Sequence, residues 1–224
     1  MALVALLGHP VAASLSPRMQ NAAFAACGLD WQYEALDVED VVEAVRSLVT
    51  HGYAGANVTI PHKQAVVAAC DEADGDAVNT LIFRDGRVIG RNTDREILSG
   101  IFATRACVIG GGGAARTLGP ALPEATVTFT RSGLWPPDAT GCDLIVNATP
   151  VRDELLVEPH AGQTVVDLAY GPGETALVRA ARAAGCTVVD GREALVRQGA
   201  ASFRLWTGLE PPVDVMRAAV SLPR

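Results

Sequence analysis

Apolar and polar residues alternate along this chain with two periods, and the period switches repeatedly. "LVALLG" (3–8) is a continuous apolar run of strand length. "SPRMQNAAFAACG" (16–28) is helix-like, with Ser16 expected as N-cap, Pro17 in the first turn and Gly28 as the stop. "WQYEALDV" (31–38) reads as a strand, "VVEAVRSLVTHG" (41–52) as a helix, "GANVTI" (55–60) as a strand and "HKQAVVAAC" (62–70) as a helix. Within 77–92, Asp85-Gly86 between apolar runs signals a hairpin. A second series opens at "ACVIGGGGAARTLG" (106–119) and continues through "ATVTFTRS", "DLIVNATP", "TVVDLAYGP" and "CTVVDG". The break between the series falls near 94–104, and two helices are expected at 192–208 and 212–222. Strands alternating with helices predict an α/β fold with mainly parallel sheets.

Composition narrows the class. With 224 residues, 49% of them apolar, the chain can bury a large core. A net charge of −7 argues against a nucleic-acid surface. The five cysteines (Cys27, Cys70, Cys107, Cys142, Cys186) are odd in number, scattered and free of any CxxC pair. They signal neither a disulfide framework nor a zinc site, so a reducing cytoplasm is the expected compartment. The opening "MALVALLGHPVAAS" has a short apolar run and no basic start, so it is read as a buried strand rather than a leader. No run reaches the length of a membrane span.

The second series carries the first chemical signal. The strand ending at Ile109 runs into Gly110, Gly111, Gly112, Gly113 and Ala114. Glycines there let the backbone turn tightly and approach a pyrophosphate at a helix start. The next strand ends at Thr130, Arg131 and Ser132, where an NAD site would carry a carboxylate for the ribose hydroxyls. A guanidinium with two hydroxyls suits a 2′-phosphate, so the cofactor reads as NADP. The competing reading of Arg131 is a solvated surface arginine.

The first series carries the reacting side. "GANVTIPHK" (55–63) sets Asn57 and Thr59 on one strand face with Lys63 a turn later. Asn79-Thr80 and Asn92-Thr93-Asp94 flank the hairpin, and Ser14 and Ser16 follow the first strand. Ligands of open α/β sheets bind at the carboxyl ends of strands, where these polar residues gather. A lysine can donate a proton to a carbonyl oxygen as it becomes an alkoxide, and a carboxylate beside it can orient it. Each residue alone has an ordinary role; their coincidence at one edge favours a site.

Taken in order, "SLSP" (14–17), "GANVTIPHK", "AVNTL" (77–81), "NTD" (92–94), "GGGGAAR" (110–116), "NATP" (147–150), "YGPGET" (170–175) and "QGAASFRLWTG" (198–208) resemble the shikimate dehydrogenase family across nearly the whole chain. The resemblance implies a substrate-binding, catalytic domain at 1–94, a shortened Rossmann-like NADP-binding domain at 95–197, a cleft between them, and C-terminal helices at 198–224 packing back on the first domain. It implies NADP-linked interconversion of 3-dehydroshikimate and shikimate, or of a ring analogue such as quinate or aminoshikimate. Lys63 and Asp94 would be the catalytic pair. Ser14 and Ser16 would hold the substrate carboxylate, and Thr59, Asn79, Asp94 and Gln198 the ring hydroxyls. Tyr170 would lie near the reacting centre, and Thr149 would join the glycines on the cofactor.

The chain departs from the family at Gln20, Arg95, Arg152-Asp153 and Ala194. It is also short. Only twelve residues, 131–142, join two strands of the second series, and they include Pro136-Pro137. Adjacent prolines oppose a helix interior, so a covering helix is expected to be missing. The bared apolar face would be a place for a partner subunit, making a homodimer a candidate assembly. The alternative reading of the shortened domain is a regulatory protein that binds shikimate or NADP without turnover.

Overall fold

A computed structural model describes residues 1–221. The chain divides into two compact units, 1–96 with 196–221, and 97–195.

The first unit begins with β1 (Ala2–Gly8), α1 (Ser16–Ala26), β2 (Trp31–Asp37), α2 (Val41–Thr50) and β3 (Gly55–Val58). The two-residue β4 (Glu72–Ala73), β5 (Thr80–Arg84) and β6 (Arg87–Arg91) follow. In the second lie β7 (Arg105–Ile109), α3 (Gly113–Leu118), β8 (Ala125–Phe129), β9 (Leu144–Asn147), β10 (Thr164–Asp167), α4 (Ala176–Ala183) and β11 (Thr187–Val189). The chain continues through α5 (Gly191–Thr207) and ends on α6 (Val213–Val220) in the first unit. Position 222 of the expected last helix, and the end of the expected 198–224 segment, lie outside the described residues.

The first sheet runs β2-β1-β3-β5-β6-β4. β1, β2 and β3 are parallel, while β5 and β6 form an antiparallel hairpin beside β3. Asp85 (φ 53°) and Gly86 (φ 74°) both adopt left-handed backbone, as a two-residue I′ turn requires. Behind the sheet, Leu7, Val45, Val58, Val66, Val78 and Leu81 are buried together. α5 is tied to the sheet by Trp206, whose Nε1 donates to Leu81 O at 2.9 Å. A Cβ on Gly55 would stand 2.3 Å from that carbonyl and 2.5 Å from the indole nitrogen, so only glycine admits the indole.

Two local readings change. Ser16 does not cap α1: it is the first helical residue, and its own N–H donates to Ser14 Oγ at 3.2 Å. The backbone of Leu15 is already helical, which moves the boundary back one residue. The expected helix over 62–70 is a short 3₁₀ turn, Ala65–Ala69. Its central Val66-Val67 are poor helix formers, and five residues are too few to sustain an α-helix without tertiary support. Gly28 does stop α1, in left-handed backbone (φ 65°), with Leu29 N bonded to Phe24 O and Gly28 N to Ala25 O.

The second sheet is wholly parallel, in the order β11-β10-β9-β7-β8. Strand order reverses between β7 and β9, the position where doubly wound sheets bind ligands. Alternate residues of β7 serve opposite faces: Ala106 and Val108 pack with Leu118 and Leu144, Cys107 and Ile109 with Ile145 and Leu177. No helix joins β8 to β9. The face beside that connection is nevertheless covered. Ala139, Cys142 and Val157 are buried against it, with Trp135, Leu155 and Leu156 packed alongside. Two irregular loops do the work of the missing helix, so the expectation of a bare face is corrected, and with it the argument for a partner subunit there.

Candidate functional site

Lys63 is brought to the sheet edge by backbone bonds on either side. Thr59 N donates to Leu7 O (2.9 Å), and Val78 N to Lys63 O (2.9 Å). Because β5 runs against β3, its first residues stand beside the carboxyl end of β3; Val58 N donates to Asn79 O at 2.8 Å. β6 returns to the same edge and delivers Asn92-Thr93-Asp94. Three sequence-distant segments therefore converge.

There Lys63 Nζ donates to Asp94 Oδ2, with 10% and 7% of the two side chains exposed. The other carboxylate oxygen, Oδ1, accepts from Asn79 Nδ2 at 2.8 Å. Asn79 is oriented in turn, since its Oδ1 accepts from Thr93 N at 2.8 Å. Gln198 Oε1, from α5, lies 3.4 Å from Asn79 Nδ2. A buried ion pair is costly to desolvate and is tolerated when further hydrogen bonds satisfy its members. The arrangement holds an ammonium proton at a defined position on a partly dry surface.

Thr59 is half-buried at the end of β3, with its methyl over Gly8. Ser14 and Ser16 lie in the turn that follows β1 and enters α1. Ser14 is half-buried and Ser16 buried.

Asn57 has a different duty from its neighbours. Its Oδ1 accepts from Tyr33 OH (2.9 Å), and its Nδ2 is 3.0 Å from each of Asn79 O, Thr80 Oγ1 and Ser202 Oγ. Thr93 Oγ1 joins at 3.0 Å from Thr80 Oγ1 and 3.1 Å from Ser202 Oγ. This buried lattice bolts α5 to β3, β5 and the 92–94 loop. Sequence reasoning does not single out Ser202 or Thr93 as members of it. The signal available for Ser202 is a hydroxyl four residues after Gln198, on the same helical face.

In the second unit the glycine turn leaves β7 at the switch point. Gly110 has φ 109°, and a Cβ there would come within 3.0 Å of Thr149 and 3.1 Å of the Ala148 backbone. Gly111 is bounded in the same way by Thr130, at 3.0 Å, whereas a Cβ on Gly112 would meet nothing. No side chain caps α3, which starts at Gly113-Ala114. Thr149 is fixed by Asn147, whose Oδ1 accepts from its N (3.0 Å) and Oγ1 (2.7 Å). Asn147 Nδ2 donates to Asp167 at 2.9 Å, and burial pushes the Asp167 carboxyl above the usual range.

A cavity of about 280 Å³ is lined by Gly110, Gly111, Thr130, Arg131, Trp135 and Thr149, among others. The bare glycine backbone, an uncapped helix start and a guanidinium at the rim are a donor set suited to an anionic dinucleotide. Ser132 is exposed in the tight turn that Gly133 N closes onto Thr130 O (3.0 Å). Tyr170 is half-buried after β10, in the second unit. Beside it, Arg152 Nη2 donates to Pro172 O (2.6 Å) and Gly173 O (3.2 Å), tying the loop after β9 to the loop after β10. In sequence Arg152 stands out only as a departure; Gly171, where a Cβ would collide with it at 2.9 Å, is the companion signal that goes unread.

Among the described residues no helix is long and apolar enough to cross a membrane, and no group of His, Cys, Asp and Glu could hold a metal ion.

A parallel sheet with a glycine turn at its switch point, in one chain with a buried lysine–carboxylate pair, defines a class: the dinucleotide-linked oxidoreductases. Residues 6–81 match the family model described as shikimate dehydrogenase substrate binding domain, and residues 191–220 that of the shikimate 5′-dehydrogenase C-terminal domain. Shikimate dehydrogenase (NADP(+)) of Moorella thermoacetica is 39% identical over 267 aligned residues, covering 96% of this chain and 90% of that protein. The crystal structure of shikimate 5-dehydrogenase from Thermus thermophilus, in complex with NADP(H) and shikimate, matches with a TM-score of 0.85 and 34% identity over 98% of each chain. Quinate dehydrogenase from Corynebacterium glutamicum, in complex with NAD, matches at 0.82 and 28%, over 97% of this chain and 98% of that one. The chain belongs to the shikimate dehydrogenase family. The 267-residue alignment to the Moorella protein is longer than this chain's 224 residues, so that relative carries segments absent here.

Proposed function

We propose that this protein is an NADP-dependent oxidoreductase that interconverts 3-dehydroshikimate and shikimate, or a close ring analogue such as quinate or aminoshikimate. The observation that carries this reading is the buried Lys63–Asp94 pair with Asn79 donating to the other carboxylate oxygen. The names of the relatives and the ligands bound in the similar solved structures support it. NADPH, when bound, supplies the hydride to the carbonyl carbon. Lys63 then gives a proton to the carbonyl oxygen, and Asp94 orients that ammonium and accepts from a neighbouring ring hydroxyl. Thr59, Asn79 and Gln198 take further ring hydroxyls, and Ser14 and Ser16 donate to the ring carboxylate. Tyr170 contributes near the reacting centre. Gly110–Gly113, Ala114 and Thr149 would hold the dinucleotide, and Thr130, Arg131 and Ser132 would take its 2′-phosphate.

In this reading 1–94 forms the substrate domain, 95–197 the dinucleotide domain, and the 198–224 segment completes the substrate side. The free thiols suit a cytoplasmic setting. A homodimer remains part of the proposal only as the assembly to be measured by light scattering. The decisive test follows NADPH absorbance with 3-dehydroshikimate, beside NADH and beside Lys63→Ala. Consumption by the parent and loss of it in the variant is the expected result. A parent inactive with every ring substrate in both directions would overturn the reading.

A further inference from the structure

The connection after β8 sets Arg131 and Trp135 on the cofactor cavity, and Glu154, from the loop after β9, meets Arg131 there. Arg131 Cζ sits 4.7 Å from the centroid of the Trp135 ring. Arg131 Nη2 also donates to Glu154 Oε2 at 3.3 Å, with 65% and 60% of the two side chains exposed. Glu154 comes from the loop after β9, the stretch in which this chain carries Arg152-Asp153. The indole supports the guanidinium by a cation–π contact and limits its swing. The carboxylate occupies a donor edge that a phosphate would otherwise take.

We infer that Glu154 sets the strength of NADP-over-NAD discrimination by competing with the cofactor's 2′-phosphate for Arg131. This rests on the NADP reading above. A ligand phosphate can take the Nη2 donor of Arg131 only by displacing Glu154. It then also faces a nearby carboxylate of its own sign. NAD, lacking that phosphate, leaves the Arg131–Glu154 pair in place and meets neither cost. The carboxylate therefore blunts a preference that Arg131 alone would make steeper. Because both partners are exposed, the effect is modest and screened by salt.

The test is calorimetric titration of NADP and NAD into the full-length parent, Glu154→Gln, Arg131→Ala and the double variant. Glu154→Gln should tighten NADP by about two- to fivefold, the range of exposed ion pairs, and leave NAD unchanged. The gain should shrink at high salt and vanish when Arg131 is absent. An unchanged or weakened NADP affinity in Glu154→Gln, in a parent that prefers NADP, overturns this inference alone. A gain that survives in the Arg131→Ala background also overturns it, since competition for the guanidinium would then not be the cause. Equal affinities for the two cofactors in the parent would refute the NADP assignment. If Glu154→Gln then creates a preference, the inference stands; if it does not, both readings fall.

Discussion

In the first unit Lys63, Asp94 and Asn79 are each less than a tenth exposed and are bonded to one another before any ligand arrives. In the second, the groups offered to a ligand are bare backbone from Gly111 onward and an arginine with 65% of its side chain in solvent. One region has already met the cost of desolvating and orienting its reacting groups. The other offers donors still in water and is completed by what binds. Pre-orientation belongs where charge develops during reaction, because groups that need not reorganise lower the barrier most. A binding surface can instead be completed by a ligand that is itself large and charged. Substitutions among the bonded reacting groups of the first unit should accordingly act on turnover, and those at the glycine turn and Arg131 on affinity.

The largest expected effect is at Lys63. Lys63→Ala should lower kcat by about 10²- to 10⁴-fold, the usual contribution of a positioned proton donor, with a smaller change in KM. It also leaves Asp94 buried without its cation, a loss that costs about 3–5 kcal/mol in buried pairs, partly offset here by Asn79. Thermal unfolding must therefore accompany the kinetics. Near-normal turnover in a folded variant would end the proposed role of the lysine.

Asn57→Ala tests whether the neighbouring asparagine is scaffold rather than chemistry. Removing it takes one acceptor from Tyr33 OH and one donor from each of Thr80 and Ser202. The expected loss is about 1–3 kcal/mol per buried group left unpaired, read as a lower Tm. If the variant keeps its Tm and loses only kcat, Asn57 belongs with the reacting groups and the comparison between lattice and site is drawn in the wrong place.

These two residues show what is legible in sequence. The strand and helix series, the hairpin turn at Asp85-Gly86 and the gathering of Lys63, Asn79 and Asp94 at one edge all follow from periodicity and from the rule that strand ends carry the ligand. The division of labour within "GANVTIPHK" is not legible. Asn57 and Lys63 are equally polar on paper, and only the arrival of Ser202 and Tyr33 from distant elements makes Asn57 structural. The Ser16 cap fails for a similar reason: a one-residue shift in helix start puts Leu15 at the cap position and leaves Ser14 to accept from the first helical amide. The shortened 131–142 connection does lack a helix, as its prolines imply, but its covering of the sheet has no counterpart in the pattern. Trp135, Leu155 and Leu156 lie in segments without period, where nothing says which way a side chain packs.

Changes at the substrate carboxylate should be milder. Ser14 and Ser16 are neutral donors, so the double alanine variant should raise KM by an amount corresponding to about 0.5–1.5 kcal/mol per serine and leave kcat nearly intact. Ser14→Ala alone carries a stability cost as well, because Ser14 accepts from the first helical amide, whereas Ser16→Ala removes no cap. A fall confined to kcat would take both serines out of the clamp.

The smallest expected effect lies in the second unit, away from both sites, at Asp143. Its Oδ2 accepts from Thr104 N and Oγ1, both at 2.7 Å, and its Oδ1 from Arg105 N at 2.9 Å, clasping the start of β7. Those donors favour the ionised form and lower its pKa to about 2. An unfolded Asp titrates near 3.9, so the folded state holds this proton less tightly than the unfolded chain. The stabilisation is therefore complete above about pH 4 and is lost as pH falls through about 2. Discounted for solvent screening it is worth less than about 1 kcal/mol, or at most about 2–4 °C in Tm for a chain of this size. Asp143→Asn should lower the Tm of the second unit by up to that much at pH 7, and the gap from the parent should narrow steadily as the pH is brought down towards 3. A gap that stays constant across that range would mean that the clasp depends on shape and neutral hydrogen bonds, and that its charge contributes nothing.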